Sequence, residues 1–217
     1  MTPDDDTGTD GAEAMDGTGD LDPADTGGRR DRVDEAFEAV PRVPFLPEEL
    51  RGFAGQDAPL PIGHGQTNSQ PYTVAAMLRL LDVRPGHRVL DLGAGSGWTT
   101  ALLAHLVGGE GRVIGVERQE GLIEPARRAL AEAAPEGQAE IRPALPGVLG
   151  APEDGPFDRI LVSAEAQEVP PALLEQLADH GVMVIPVRTT MHRLEKRGKD
   201  VLDTEHGGFR FVPLVED

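Results

Sequence analysis

Two clusters of residues in this sequence are of a kind that binds and transforms a small molecule. The first is Asp91-Leu92-Gly93-Ala94-Gly95-Ser96-Gly97-Trp98. It follows a short apolar run, Arg88–Leu92 (RVLDL), and opens a helical one, Thr99–Val107. Glycines placed there allow a tight turn and let a ligand lie against bare backbone, while the helix N-terminus offers unpaired N–H groups. A dinucleotide fingerprint needs glycine where this chain has Trp98. The spacing here is G-x-G-x-G, which suits a ligand with a carboxylate and an amine rather than a pyrophosphate. No Gly-Lys-Ser/Thr follows, so the P-loop mode of phosphate binding is excluded. Glu117 ends the next apolar run, 20 residues past Gly97, where a carboxylate can accept both hydroxyls of an adenosine ribose. Taken singly, these residues also fit a structural turn and a solvated glutamate; their shared strand–turn–helix context is what points to an adenosyl ligand. Trp98 either covers that ligand or packs under the helix, and packing is the expectation.

The second cluster is Gly63-His64-Gly65-Gln66-Thr67-Asn68-Ser69-Gln70-Pro71-Tyr72. It sets polar side chains and two glycines in front of an apolar helix. Ser69 or Gln70 could simply cap that helix and Thr67 could sit in a turn, so composition alone leaves this segment open between a cap and a site.

The elements that must position these clusters follow from periodicity. Arg29–Phe37 reads as a short helix, and Val40–Pro47 is extended and punctuated by proline. Ala58–Gln70 reads as a loop. Pro71 starts a helix in which Val74, Met77, Leu78 and Leu81 share one face, stopped by Pro85-Gly86. Short apolar strands then alternate with helices: Arg88–Leu92, Arg112–Glu117, Ala139–Arg142, Phe157–Val162 and Gly181–Val187 as strands, Thr99–Val107, Gly121–Ala134 and Pro170–Ala178 as helices. Asp200–Thr204 and Gly208–Leu214 read as two closing strands joined at Gly207, and Met191–Lys199 as a solvated, basic hairpin face. Continuous apolar strands alternating with helices predict an α/β fold: a doubly wound, mostly parallel seven-stranded sheet with an antiparallel C-terminal edge.

Composition bounds the rest. The chain of 217 residues has a net charge of −18. Residues 1–28 carry nine acidic and no basic side chains, too little apolar surface to offset the entropy of ordering, and are expected to be a disordered acidic tail ahead of one domain over 29–217. An acidic body disfavours nucleic acid and anionic membrane as partners. There is no cysteine, which excludes disulfides and thiolate chemistry. The histidines lack metal-ligand spacing, and no metal site is expected. With neither a long apolar run nor a basic-then-apolar leader, the cytoplasm is the expected location; a monomer is the expected state.

Specific matches extend across residues 30–215. Pro61-Ile62-Gly63-His64-Gly65-Gln66-Thr67-Asn68-Ser69-Gln70-Pro71 resembles the P-I-G-x-G-Q-T-I-S-Q-P signature of bacterial protein-L-isoaspartate O-methyltransferases. Ala36–Arg42 resembles that family's A-F-x-x-V-P-R, Val89–Gly97 its V-L-E-I-G-T-G-S-G, Pro156–Asp158 its P-F-D and Arg210–Leu214 its R-F-V-P-L. The resemblance implies a Rossmann-like class I fold and S-adenosyl-L-methionine as cofactor. Gly93, Gly95 and Gly97 would line its methionyl end, Asp91 would lie near its amino group and Glu117 would hold the ribose. Ser69, with Thr67 and Gln66, would contact the substrate carboxylate beside the transferred methyl. The implied reaction is methyl transfer to the α-carboxylate of L-isoaspartyl and D-aspartyl residues in damaged proteins, which starts repair through a succinimide.

That carboxylate, with a pKa of about 3.5, is already ionised at neutral pH and needs no general base; alignment and exclusion of water remain for the protein to supply. The chain departs from the pattern in places. Pro146 stands where the family's G-D-G-x-x-G carries an aspartate on the adenine side, removing an acceptor and stiffening the turn. Asn68 replaces an apolar residue, and Glu165 and Arg188 stand where small residues are usual. Two other readings therefore stay open: a specialised methyltransferase for an aspartate of one partner peptide, and a catalytically weak binding protein with the same fold.

Overall fold

The computed structural model describes residues 31–134 and 137–215. The acidic tail expected over 1–28 lies outside the described residues. Helix α1 (Arg32–Ala39) is capped by Asp31, whose carboxylate accepts from Val33 N–H, with Asp34 and Glu35 in the first turn where the helix dipole favours acids. Helix α2 (Pro71–Leu81) begins on its proline and buries the predicted face of Val74, Met77, Leu78 and Leu81. It stops at Asp82, in the left-handed conformation, before Pro85-Gly86 is reached.

Strands β3 (Arg88–Leu92), β4 (Arg112–Glu117), β5 (Ala139–Pro143) and β6 (Phe157–Val162) alternate with helices α3 (Trp98–Val107) and α4 (Glu120–Ala133). Helix α5 (Pro171–Gln176) leads into β7 (Leu177–Val187), β8 (Thr190–Arg197) and β9 (Asp200–Gly208). The seven strands run in the order β5-β4-β3-β6-β7-β8-β9, parallel through β7 and antiparallel at β8 and β9. Successive residues of a strand face opposite sides. Val89 of β3 therefore joins the core cluster shared with α1 to α4, while Leu90 and Leu92 join the cluster under α5. The expected fold class is the observed one. Among the described residues, no helix is long and apolar enough to cross a membrane.

Three assignments are corrected, the smallest being Val40–Pro47, where Val43–Phe45 forms a single 3-10 turn rather than extended chain. The seventh strand is not Gly208–Leu214. The basic run is itself strand β8, with Met191 and Leu194 buried on opposite faces of the sheet and only Arg197 of the strand exposed. The β7–β8 connection turns on Arg188 and Thr189, both at positive φ; a tight hairpin wants that geometry but usually marks it with Gly or Asn. Residues 209–215 run extended, and Glu165 N–H donates to Val212 O while Leu214 N–H donates to Glu165 O. Third, Ala58–Gln70 is not irregular throughout: it holds an antiparallel hairpin, β1 (Leu60–Gly63) and β2 (Gln66–Asn68). Leu60 and Ile62 pin it against Leu46 and Leu122 in a small separate cluster.

Candidate functional site

The strand order reverses direction at β3, since β4 lies to one side of it and β6 to the other. In open α/β sheets the crevice at the carboxyl ends of the strands beside such a point is where ligands bind. A cavity of about 290 Å³ opens there. Its floor is Leu92–Ser96 of the glycine turn with Val116–Arg118 of the β4 end. One wall is Gln66–Ser69 from β2 and the residues after it; the opposite wall is Ser163 and Ala164 beyond β6, with Val212–Val215 of the C-terminal segment. The far end is closed by Ala144–Pro146, Val148 and Leu149.

Six of the eight residues singled out in the sequence line this one cavity: Gln66, Thr67, Ser69, Gly93, Gly95 and Glu117. Gly93 and Gly95 hold φ of +86° and +56°, conformations open mainly to glycine. Glu117 is only 5% exposed, and its carboxylate is fixed by two backbone donors. Its Oε2 accepts from Gly95 N–H at 2.8 Å and its Oε1 from Gln119 N–H at 2.7 Å. One bond to each oxygen leaves further acceptor capacity on a side chain that lines the cleft.

Gly97 and Asp91 do not line the cavity. Gly97 is the N-cap of α3 at φ +88°, and a Cβ there would lie 2.9 Å from Ile141 Cδ1 and 3.3 Å from Ala126 O. Its place is the close approach of the turn to α4 and β5. Gly97→Ala combines overpacking with a forbidden φ, so about 2–3 kcal/mol of stability should be lost in urea denaturation. A loss below 0.5 kcal/mol would show that the turn relaxes without cost.

Asp91 points to the α3 side of the sheet and is wholly buried. Its Oδ2 accepts from Thr100 Oγ1 at 2.6 Å, and its Oδ1 has no partner. Burial pushes the carboxyl up to about 7, the Thr100 hydrogen bond opposes that, and the Glu117 charge adds to it. Trp98 does both things weighed for it: it lines the cleft, and it packs, being 3% exposed, with its Nε1 donating to Val40 O at 3.1 Å and its ring meeting Phe37 edge-on at 5.3 Å.

The reading of the sequence missed the residue that holds the two clusters together. Arg42, 5% exposed, lies with its guanidinium 5.4 Å from the centre of the Trp98 ring. Its Nε donates to Asn68 Oδ1 at 2.6 Å, and its terminal nitrogens donate to the carbonyls of Gln56, Ala58, Asn68 and Ser69 at 2.9–3.1 Å. Asn68 Nδ2 in turn donates to Ser96 Oγ at 2.9 Å. An arginine inside a proline-punctuated apolar segment was the available signal, because a charge is buried only with partners. The C-terminal wall, Val212–Val215, gave no signal of its own beyond the resemblance.

The family described as protein-L-isoaspartate(D-aspartate) O-methyltransferase matches residues 24–217 of the chain. A protein-L-isoaspartate O-methyltransferase of Methanopyrus kandleri is 47% identical over 192 residues, which is 86% of this chain and 84% of the relative. That of Serratia proteamaculans is 44% identical over 196 residues, 87% of this chain and 89% of the relative. Among solved structures, one described as a protein-L-isoaspartate O-methyltransferase from Plasmodium falciparum in complex with S-adenosyl-L-homocysteine superposes with a TM-score of 0.76 at 28% identity, covering 87% of this chain and 92% of that one. The fold, the glycine turn with its fixed carboxylate and these matches lead to one conclusion: the chain belongs to the protein-L-isoaspartate(D-aspartate) O-methyltransferase family.

Proposed function

We propose that this chain transfers the methyl group of S-adenosyl-L-methionine to the α-carboxylate of L-isoaspartyl residues, and of D-aspartyl residues, in damaged proteins. It would act as a cytoplasmic monomer on protein and peptide substrates, without nucleic-acid or membrane partners. The observation that carries this reading is the meeting of the glycine turn, the fixed Glu117 carboxylate and the Gln66–Ser69 strand in one cleft.

The residues present fit the cofactor. Gly93 and Gly95 present bare backbone to the cleft, and Glu117 keeps acceptor capacity for a ribose diol after its two backbone bonds. Asp91 is a candidate for electrostatic complementarity to the amino group from beneath the turn. When bound, S-adenosyl-L-methionine supplies an electrophilic methyl on a sulfonium that is a good leaving group. Ser69 and Thr67 carry hydroxyls on the wall facing the turn, suited to orient an ionised substrate carboxylate by hydrogen bonds. No side chain has to remove a proton, because the acceptor is ionised at neutral pH. The chain's task is orientation and dryness, and orientation alone can lower a barrier by several kcal/mol, up to about 7–11.

The direct test is methyl transfer to a peptide bearing one isoaspartyl residue and to its aspartyl twin. Transfer to the first alone supports the repair reading. Cofactor binding without transfer to either would replace it with a specialised partner peptide. Glu117→Gln isolates the cofactor side. A glutamine must turn its NH₂ toward one of two backbone donors, so one bond is lost and a ribose acceptor with it. S-adenosylhomocysteine should bind about 10–100-fold more weakly by calorimetry; an affinity within twofold of the parent would remove Glu117 from the site.

A further inference from the structure

The buried chain Arg42–Asn68–Ser96 fixes hydrogen-bond directions, and those directions reach the cleft. An arginine can only donate. Asn68 must therefore turn its Oδ1 to Arg42 Nε, 2.6 Å away, which leaves its Nδ2 for Ser96 Oγ at 2.9 Å. The two ends of an amide are hard to tell apart by shape, but here a donor-only neighbour decides. Ser96 Oγ thus accepts from Asn68, and its own proton remains to be donated. Ser96 makes no other hydrogen bond among the described residues, and it lines the cleft between Gly95 and Gly97.

From this we infer that Asn68, held by Arg42, is a positioning residue that sets the Ser96 hydroxyl as a donor into the cofactor end of the cleft, toward the ligand's carboxylate. The inference rests on the proposed cofactor and extends it to a residue pair that the sequence reading gave no role. It also gives Asn68 a function at the position where the family pattern carries an apolar residue. An apolar side chain would leave the Ser96 hydroxyl free to rotate. The same guanidinium holds the carbonyls of Asn68 and Ser69, so one buried cation orients both the acceptor wall and the cofactor turn.

Asn68→Asp tests the direction. A carboxylate beside Arg42 keeps that contact as an ion pair, but it can only accept from Ser96. The Ser96 proton then turns away from the cleft. Calorimetry on the full chain should show S-adenosylhomocysteine binding about tenfold more weakly or worse. Binding of 5′-methylthioadenosine, which lacks the amino-acid end, should stay within about twofold. Ser96→Ala should give the same selective loss, and the double variant no additional loss, because both changes remove one donor. A thermal melt of each variant checks folding, and equal loss of both ligands would reveal a merely structural role and overturn the inference. So would additive losses, or an Asn68→Asp variant that binds S-adenosylhomocysteine like the parent. If the parent itself binds no S-adenosylhomocysteine, the cofactor reading falls and the inference falls with it; if the parent binds but methylates no isoaspartyl peptide, only the substrate assignment fails.

Discussion

Arg42→Met should destabilise the protein by about 4 kcal/mol. Methionine keeps much of the stem volume and can still lie against Trp98, so packing alone predicts a small change. The hydrogen bonds predict a large one. Four backbone carbonyls and the Asn68 amide oxygen take their donors from this side chain. A buried polar group left unsatisfied costs about 1–3 kcal/mol, and those facing the surface recover water, which brings the sum to the stated figure. The guanidinium itself is lowered from its ordinary pKa, chiefly by burial, with Asp57 acting the other way, so a fraction of the bond energy already offsets desolvation. Arg42→Lys is the discriminating control. A compact ammonium has no fork and reaches only some of five acceptors, so it should restore less than half of the loss. Urea denaturation of the three proteins measures this. A methionine variant within 1 kcal/mol of the parent would mean that water replaces the guanidinium, and the account of Arg42 as the tie between hairpin and turn would have to be abandoned.

This tie explains how a site of this kind is made rigid. The glycine turn belongs to the sheet, which is held by parallel neighbours on both sides of β3. The Gln66–Asn68 wall of the cleft belongs to a short hairpin, and an isolated two-stranded hairpin is marginal in water. Ile62 Cδ1 lies 3.4 Å from where a Cβ of Gly95 would be, so the hairpin is packed on the turn as well as bonded to it through Arg42. A reaction that depends on aligning two bound groups needs that shared footing.

The parts of the protein that could be read in its sequence are those encoded locally. The glycine spacing, the acid closing β4 and the 3.6-residue face of α2 each sit within a few turns of chain, and the structure has them where the sequence puts them. The hairpin β1–β2 was invisible because strands of four and three residues carry no measurable alternation. Strand β8 was concealed by its turn, since Arg188 and Thr189 take the geometry that glycine usually announces. The apolar segment around Arg42 signals a buried cation but not its partners: the acceptors are 14 to 27 residues away, and only the folded chain brings the cation and those carbonyls together. Gly97 shows the reverse case. The motif was right that glycine is needed, but the need comes from the closeness of Ala126 and Ile141 behind the turn rather than from the ligand side.

Asp91→Asn should make the protein more stable at neutral pH and a poorer binder of S-adenosylhomocysteine. Burial holds the Asp91 carboxyl at about 7 against an ordinary 3.8. Between those two values the folded chain binds a proton that the unfolded chain has released, so stability falls as pH rises through that window. The slope is about 1.4 kcal/mol per pH unit, and the total reaches about 4 kcal/mol once pH exceeds 7. Below pH 3.8 the term vanishes, because both states are protonated. Asparagine cannot ionise, so the stability difference between variant and parent should grow from pH 4 to 7 and level off above. Parallel stability–pH curves would refute the raised pKa. A neutral residue at this place should give a more stable fold above pH 4, yet the chain keeps a carboxyl beneath the glycine turn with one oxygen unpartnered. Strongly perturbed groups of this kind concentrate at working sites, and a cationic amine bound above the turn would stabilise the ionised form. If the asparagine variant gains stability and retains full affinity, the carboxyl serves something other than the cofactor. If it gains stability and loses affinity by tenfold or more, the energy withheld from folding is the energy applied to binding.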